Sequence, residues 1–192
     1  MISNVCTFYM LYFHYLIMNC DRILLRRYQS ECGELMLGAY DGRLCLCNWE
    51  SEIHPGRIMS RLQRMLHADF DFGHSVVTDE AARQLDKYFS GLLTSFTMPL
   101  LFVGTSFQQV VWREVMEIPY GTTISYGDLA QRIGMPKSVR AVANANGANA
   151  ISIFVPCHRI CGSDGSLTGY SGGLEVKRFI LSLEKHYQED RM

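Results

Sequence analysis

At 192 residues with 48% hydrophobic side chains, the chain can bury a substantial core and is sized for one large domain or two small ones. Its net charge of −1 provides no general basic field, so any contact with nucleic acid must be local and guided by shape rather than by bulk attraction. Seven cysteines at irregular spacing, with no secretion signal, argue against a disulfide framework and for a reducing, cytoplasmic compartment in which a free thiol can work.

The first stretch, "MISNVCTFYMLYFHYLIMNC", is apolar but has no Lys or Arg ahead of the apolar run and no small-residue cleavage site. It carries His14 and is shorter than the roughly 20 apolar residues a membrane span needs. Residues 1–20 are therefore expected to be an upstream extension, with translation starting at Met18, and no membrane association is expected.

From Ile23 the pattern is β: "ILLRRYQ", a turn at Glu31 to Gly33, "ELMLGAY", a turn at "DGR", then "LCLCNWE". This is a meander with an Asp-Gly hairpin signal. Pro55 precedes a helix-like "RIMSRLQRML". Thr78 is a candidate cap for "DEAARQLDKYF", where Leu85, Tyr88 and Phe89 share a face and Gly91 ends the run. Strands followed by helices predict a small α+β unit over residues 21–103, and "TMPLLFVGTS" reads as the strand and linker into a second unit over 104–192.

The second unit reads as mostly helical. Phe107, Val111, Val115 and Ile118 repeat at helical spacing in "SFQQVVWREVMEI", which Pro119 and Gly121 stop. Ser125 can cap "YGDLAQRI", Gly134 ends it, and Pro136 opens "KSVRAVANANG" after a turn of about three residues, the spacing of a helix-turn-helix. The second of these helices is slim, with Ala141, Ala143, Asn144, Ala145 and Asn146, and Arg140 is the long side chain near its middle. Such a surface suits close approach to a nucleic-acid groove. A tightly packed internal helix with a solvated arginine fits the same residues, and the spacing alone favours that plainer reading.

"ISIFV", residues 151–155, is a continuous apolar run and predicts a strand buried on both faces, ended by Pro156. Cys157 then stands at a strand end beside His158 and Arg159. A thiol becomes a nucleophile as thiolate, which an imidazole promotes by taking the proton, directly or through water, or by its positive charge. Two other readings compete: an inert buried cysteine, since free Cys packs like a small hydrophobe, and a metal site from Cys157, His158 and Cys161. Adjacent ligands strain tetrahedral geometry, and no CxxC pair accompanies them. The loop "GSDGSLTGYSGG" follows, bending easily and offering backbone N–H groups. "LEVKRFILSLE" closes the pattern, with Val176, Phe179, Ile180 and Leu183 on one helical face and Glu184 near its end, where most glutamates are solvated.

From Ser106 to Glu184 the chain closely resembles the O6-alkylguanine-DNA alkyltransferases (methylated-DNA-protein-cysteine methyltransferases), with "PCHR" the most specific part of the match. The likeness extends weakly through "SECGELMLGAYDGRL". It implies an α+β chain: a small N-terminal ribonuclease H-like α/β domain, then a mostly helical C-terminal domain with a helix-turn-helix and a short buried strand carrying the active cysteine. It also implies a DNA repair protein that flips O6-alkylguanine, and O4-alkylthymine, out of duplex DNA and moves the alkyl group irreversibly to itself. Cys157 would be the acceptor, His158 the group linking the thiol through a water to Glu184, and Tyr126 the phenol that hydrogen-bonds the guanine ring. Asn149 would tie the recognition helix to the active site, with Arg159 a second structural residue. Tyr170, Ser171 and Gly172 would close over the base, and the carbonyls of Cys157 and Ile160 would meet its amino group. Arg140 would enter the base stack, with Ala141, Ala145, Asn146 and Gly147 of the same helix against the minor groove.

Two departures stand out. Ala150 occupies a position where many relatives have proline. Where some relatives carry a structural zinc, this chain has Tyr40 and Cys45, so no metal and no other cofactor are expected. The methyl-sensing cysteine-rich domain of regulatory relatives has no counterpart in this sequence. The expected protein is a monomer acting on double-stranded DNA. Its rival is a non-catalytic adaptor that binds alkylated lesions, a class that lacks the acceptor cysteine present here as Cys157.

Overall fold

The structure, a computed structural model, describes residues 22–50 and 56–189. The expected extension over residues 1–20 and Pro55 lie outside the described residues. Strands β1 (Arg22–Ser30), β2 (Gly33–Tyr40) and β3 (Arg43–Trp49) form the predicted antiparallel meander. Asp41 and Gly42 link β2 to β3 with φ of 48° and 69°, the left-handed pair that an Asp-Gly hairpin turn requires. Helix α1 (Arg57–Leu66) leads into β4 (Asp69–Phe72), which runs parallel to β1 and gives the sheet the order β3-β2-β1-β4. Strand β4 is an addition to the predicted elements: "DFDF" alternates, but four residues, two of them exposed, make a faint signal.

Helix α2 (Val76–Phe89) packs on this sheet through Leu85, Tyr88 and Phe89, the face expected for it. Its cap is Ser75, whose side chain accepts from the Val77 N–H, and not Thr78. Thr78 is fully buried one turn inside the helix, its hydroxyl donating to the Ser75 carbonyl at 3.0 Å, because the apolar face already begins at Val77. The segment expected to be a strand and linker makes a single bridge, Leu44 to Leu100, with backbone hydrogen bonds from Leu44 to Pro99 and from Leu101 to Leu44. It is an extended linker laid against β3.

Helix α3 (Ser106–Met116) opens with a Thr105/Gln108 capping box and buries Val111, Trp112 and Val115. The Trp112 indole donates to the Ala145 carbonyl at 2.8 Å, which docks α3 on α5 (Val139–Gly147). Between them, β5 (Ile124–Ser125) runs into α4 (Tyr126–Arg132), capped by Ser125 with Asp128. Helix α5 starts at Val139, three residues beyond Pro136: the proline sits in the connection 133–138, and Ser138 holds the cap position.

The run "ISIFV" is buried throughout but is not a strand. Ile151 bridges Cys47 of β3, Ser152 bridges Val155, and Ile153 has φ of 73°, so the chain folds back on itself within five residues. Its backbone groups are satisfied by β3 and by this turn: Cys47 donates to Ala150, Ser152 to Cys47, and Val155 to Ile151. Cys157 consequently opens a single 3-10 turn, Cys157–Arg159, and the short buried strand β6 (Ile160–Cys161) comes after the cysteine, paired in parallel with β5. Helix α6 (Leu174–Glu189) closes the described fold.

Gly38 lies where β2 shifts register against β3, and a methyl group there would stand 2.8 Å from the Leu46 Cβ and 3.3 Å from Ile23 and Leu25. Overpacking of this kind costs about 1–3 kcal/mol. Gly38→Ala is expected to lower the unfolding free energy by that amount in urea titrations, with the slope unchanged.

Candidate active site

Four segments converge on Cys157. The parallel pairing Ile124↔Ile160 and Ser125↔Cys161 sets the start of α4, and with it Tyr126, beside the 3-10 turn. The end of α5 supplies Asn149, whose amide donates to the Val155 carbonyl at 3.0 Å and to the Cys157 Sγ at 3.2 Å while its own oxygen accepts from Ile151 N. Asn146 Nδ2 reaches the Cys157 carbonyl at 3.4 Å. Helix α6 presents Lys177, Ile180 and Glu184 on one fully buried stripe.

Glu184 has the densest set of partners. Its carboxylate accepts from His158 Nε2 at 3.0 Å, from Arg159 Nη2 at 2.7 Å and Nε at 3.0 Å, from the Tyr88 hydroxyl at 2.6 Å and from Gly121 N at 3.0 Å. Arg159 also donates to the Ile118 carbonyl at 2.6 Å. Burial pushes this carboxyl up, but the hydrogen bond from His158 and the hydrogen bonds and charge of Arg159 outweigh it and hold the group well below the usual carboxylate range. Glu184 is an anion, and it keeps the imidazole proton on Nε2. Nδ1, buried and without a hydrogen-bond partner in the protein, is left as the bare acceptor.

Burial lowers the proton affinity of His158 and raises that of Cys157, in each case against favourable neighbours: Glu184 for the imidazole, Asn149 and Lys177 for the thiol. The resting pair is a neutral thiol and a neutral imidazole. Of the routes to a thiolate open to the sequence, this environment favours proton acceptance by His158 at the moment of reaction over a standing imidazolium. Tyr126 is half-buried, and burial raises its phenol above the ordinary value, so it is a proton donor at neutral pH.

The loop after β6 returns to the site through Tyr170, which is buried and meets His158 edge to face with ring centroids 6.3 Å apart. Ser171 Oγ lies 3.3 Å from Ser152 Oγ, Gly172 follows against the Trp49 ring, and the Ile160 carbonyl accepts from Lys177 Nζ at 2.5 Å. On α5, Arg140, Ala141, Asn144 and Gly147 are exposed. Ala145 and Asn146, expected on the groove-facing surface, instead point inward at 3% and 2% exposure, because one backs Trp112 and the other the Cys157 turn.

A family model described as the 6-O-methylguanine DNA methyltransferase DNA-binding domain matches residues 106–186. A methylated-DNA–protein-cysteine methyltransferase of Methanosarcina barkeri is 54% identical over 107 residues, 56% of this chain and 68% of that protein. The crystal structure of Mycobacterium tuberculosis OGT in complex with DNA superposes with a TM-score of 0.73 at 40% identity, covering 85% of this chain and 93% of that one. The chain belongs to the methylated-DNA–protein-cysteine methyltransferase family. The O6-methylguanine-DNA methyltransferase of Pyrococcus kodakaraensis is a more distant structural relative, at 27% identity and a TM-score of 0.62 over 84% of this chain and 98% of that one.

Within this methyltransferase fold, three side chains join the site that sequence reading did not place there. Lys177 shares the buried stripe with Glu184 and donates to the carbonyls of Ile160 and Thr168, the latter at 2.7 Å. Its i+7 spacing to Glu184 was the available signal. Tyr88 and Trp49 come from the N-terminal half, outside residues 106–186, and both are buried.

Removing one partner of a buried ion pair costs about 3–5 kcal/mol because the other charge is left uncompensated. Glu184→Gln, which strands Arg159, is expected to lose that much stability in denaturant unfolding, whereas Tyr88→Phe, which removes one hydroxyl from a carboxylate still held by Arg159, is expected to lose about 1–3 kcal/mol.

Proposed function

We propose that the chain is a DNA repair methyltransferase that extrudes O6-alkylguanine, and O4-alkylthymine, from duplex DNA and transfers the alkyl group to Cys157 in a single irreversible turnover. The observation that carries this reading is the buried line from the Asn149 amide at Cys157 Sγ to the neutral His158 held by the Glu184 carboxylate, within the segment that the family shares. His158 Nδ1 takes the thiol proton, through a bridging water. The sulfur pair attacks the alkyl carbon and the carbon–O6 bond breaks with its electrons on the base. Tyr126 and the surrounding donors supply the proton with which guanine leaves neutral. The thioether has no route back to a thiol, so one protein repairs one lesion. The presence of Cys157 favours transfer over the non-catalytic adaptor reading.

Extrusion requires a wedge and a narrow contact surface. Arg140, exposed on α5 among Ala141, Asn144 and Gly147, supports a minor-groove role with the arginine filling the vacated stack. In this reading α4 and α5 form a helix-turn-helix, residues 104–192 are the DNA-binding and acceptor domain, and residues 21–103 are a ribonuclease H-like partner domain. The protein acts as a monomer, without cofactor, in the cytoplasm. Among the described residues no helix is long and apolar enough to cross a membrane.

Incubation with a duplex bearing labelled O6-methylguanine tests the proposal directly. At most one equivalent of label should move to the peptide containing Cys157; turnover, or label on Cys161, would sink it. Arg140→Ala is expected to slow repair of duplex DNA far more than reaction with free O6-benzylguanine, since the free base needs no flipping; equal slowing would place Arg140 in the fold instead.

The pH dependence follows from the two shifts. Because His158 is held neutral by burial, the wild-type rate should stay level through neutral pH and fall only below the ordinary imidazole value of about 6.5. In His158→Ala the rate should lose this plateau and climb with pH toward the raised value of the thiol itself. An unchanged profile in the variant would assign the proton acceptor elsewhere.

A further inference from the structure

We infer that Trp49, on the last position of β3, is a positioning residue for alkyl transfer that acts through the Tyr170 hydroxyl. The inference rests on the proposed function, in which the loop carrying Tyr170, Ser171 and Gly172 closes over the extruded base.

Trp49 is 2% exposed and Tyr170 5%, and the indole N–H of the first donates to the phenolic oxygen of the second at 3.1 Å across 121 residues of sequence. The two rings meet edge to face with centroids 6.3 Å apart. The same indole abuts the loop two residues later: a methyl group on Gly172 would stand 2.7 Å from its ring atoms, so the loop backbone lies directly on the tryptophan. The floor under the base-closing loop is therefore built by the N-terminal sheet, not by the segment that carries the reacting groups.

The chemistry of the bond gives it a direction. An indole N–H can only donate, so the Tyr170 oxygen is the acceptor and its own proton must point away from Trp49. Tyr170 is otherwise packed edge to face against His158, with ring centroids 6.3 Å apart, so the bond from Trp49 fixes the orientation of a phenol beside the reacting imidazole. Without the indole donor, the phenol and the loop lose their shared anchor while the thiol, His158 and Glu184 keep theirs.

Trp49→Phe removes the N–H and keeps an aromatic ring under the loop. One lost buried hydrogen bond should weaken capture of free O6-benzylguanine by about tenfold, read as a higher half-saturating concentration. Reaction of Cys157 with iodomethane, which presents no base for the loop to close on, should proceed at the wild-type rate. In a Tyr170→Phe background, Trp49→Phe should have no further effect. Wild-type capture by Trp49→Phe, equal slowing toward iodomethane, or an undiminished effect in the Tyr170→Phe background would each overturn the inference. If Trp49→Phe does not fold, Gly172→Ala lifts the loop from the other side, and wild-type capture by that variant would overturn it equally. A wild-type protein inert toward both alkylated duplex and O6-benzylguanine would instead remove the function on which the inference stands.

Discussion

A carboxylate with no exposed surface must be matched by donors on all sides or it cannot remain ionised, and Glu184 meets that requirement with groups from across the chain. Tyr88 comes from the N-terminal half, Gly121 from the turn after α3, and His158 and Arg159 from the 3-10 turn behind the acceptor thiol. Satisfying one anion thereby fixes the distance between α2, α6 and the active turn. The geometry of the thiol is a consequence: Cys157 is where it is because the two residues that follow it are clamped to α6.

That clamp also decides the protonation state of the site. Arg159 carries the charge opposite Glu184 in a forked contact, which leaves His158 free to be neutral, and the carboxylate then acts on the imidazole as an orienting acceptor rather than as a partner for a cation. The thiol is likewise kept neutral by burial, with the Asn149 amide and the Lys177 ammonium arranged to stabilise a thiolate once the proton moves. The resting site thus holds a neutral thiol beside a neutral imidazole that can take its proton.

The surface toward DNA follows a different logic. With a net charge of −1 the chain has little long-range pull on a polyanion, so the contact must come from shape and from a few cations. The exposed edge of α5 consists of Arg140 with Ala141, Asn144 and Gly147, while its other edge, with Val142, Ala145 and Asn146, is turned to α3 and the active turn. One short helix thus links the surface proposed to face the groove to the thiol within a few residues.

Much of this was legible in the residues themselves. The meander, its Asp-Gly turn, the capping box of α4 and the face of α3 are local decisions, made by alternation, side-chain hydrogen bonds and turn conformations that depend only on near neighbours. "PCHR" and the residues around it named the family for the same reason. Where reading failed, the cause was a distant partner. "ISIFV" has the composition of a strand, but β3 takes one of its residues as a bridge and the rest turn back on themselves. Pro136 would suit a helix start, yet the helix waits until Val139. Glu184 is expected to partner His158, but its bonds to Tyr88 and Arg159, and the bond from Trp49 to Tyr170, appear only once packing brings these side chains together. The sequence by itself determined the local elements, the candidate nucleophile and the family; only the tertiary structure decided which charges are buried together and that the N-terminal sheet lies under the loop carrying Tyr170, because burial and long-range hydrogen bonds exist only once segments far apart in the chain have met.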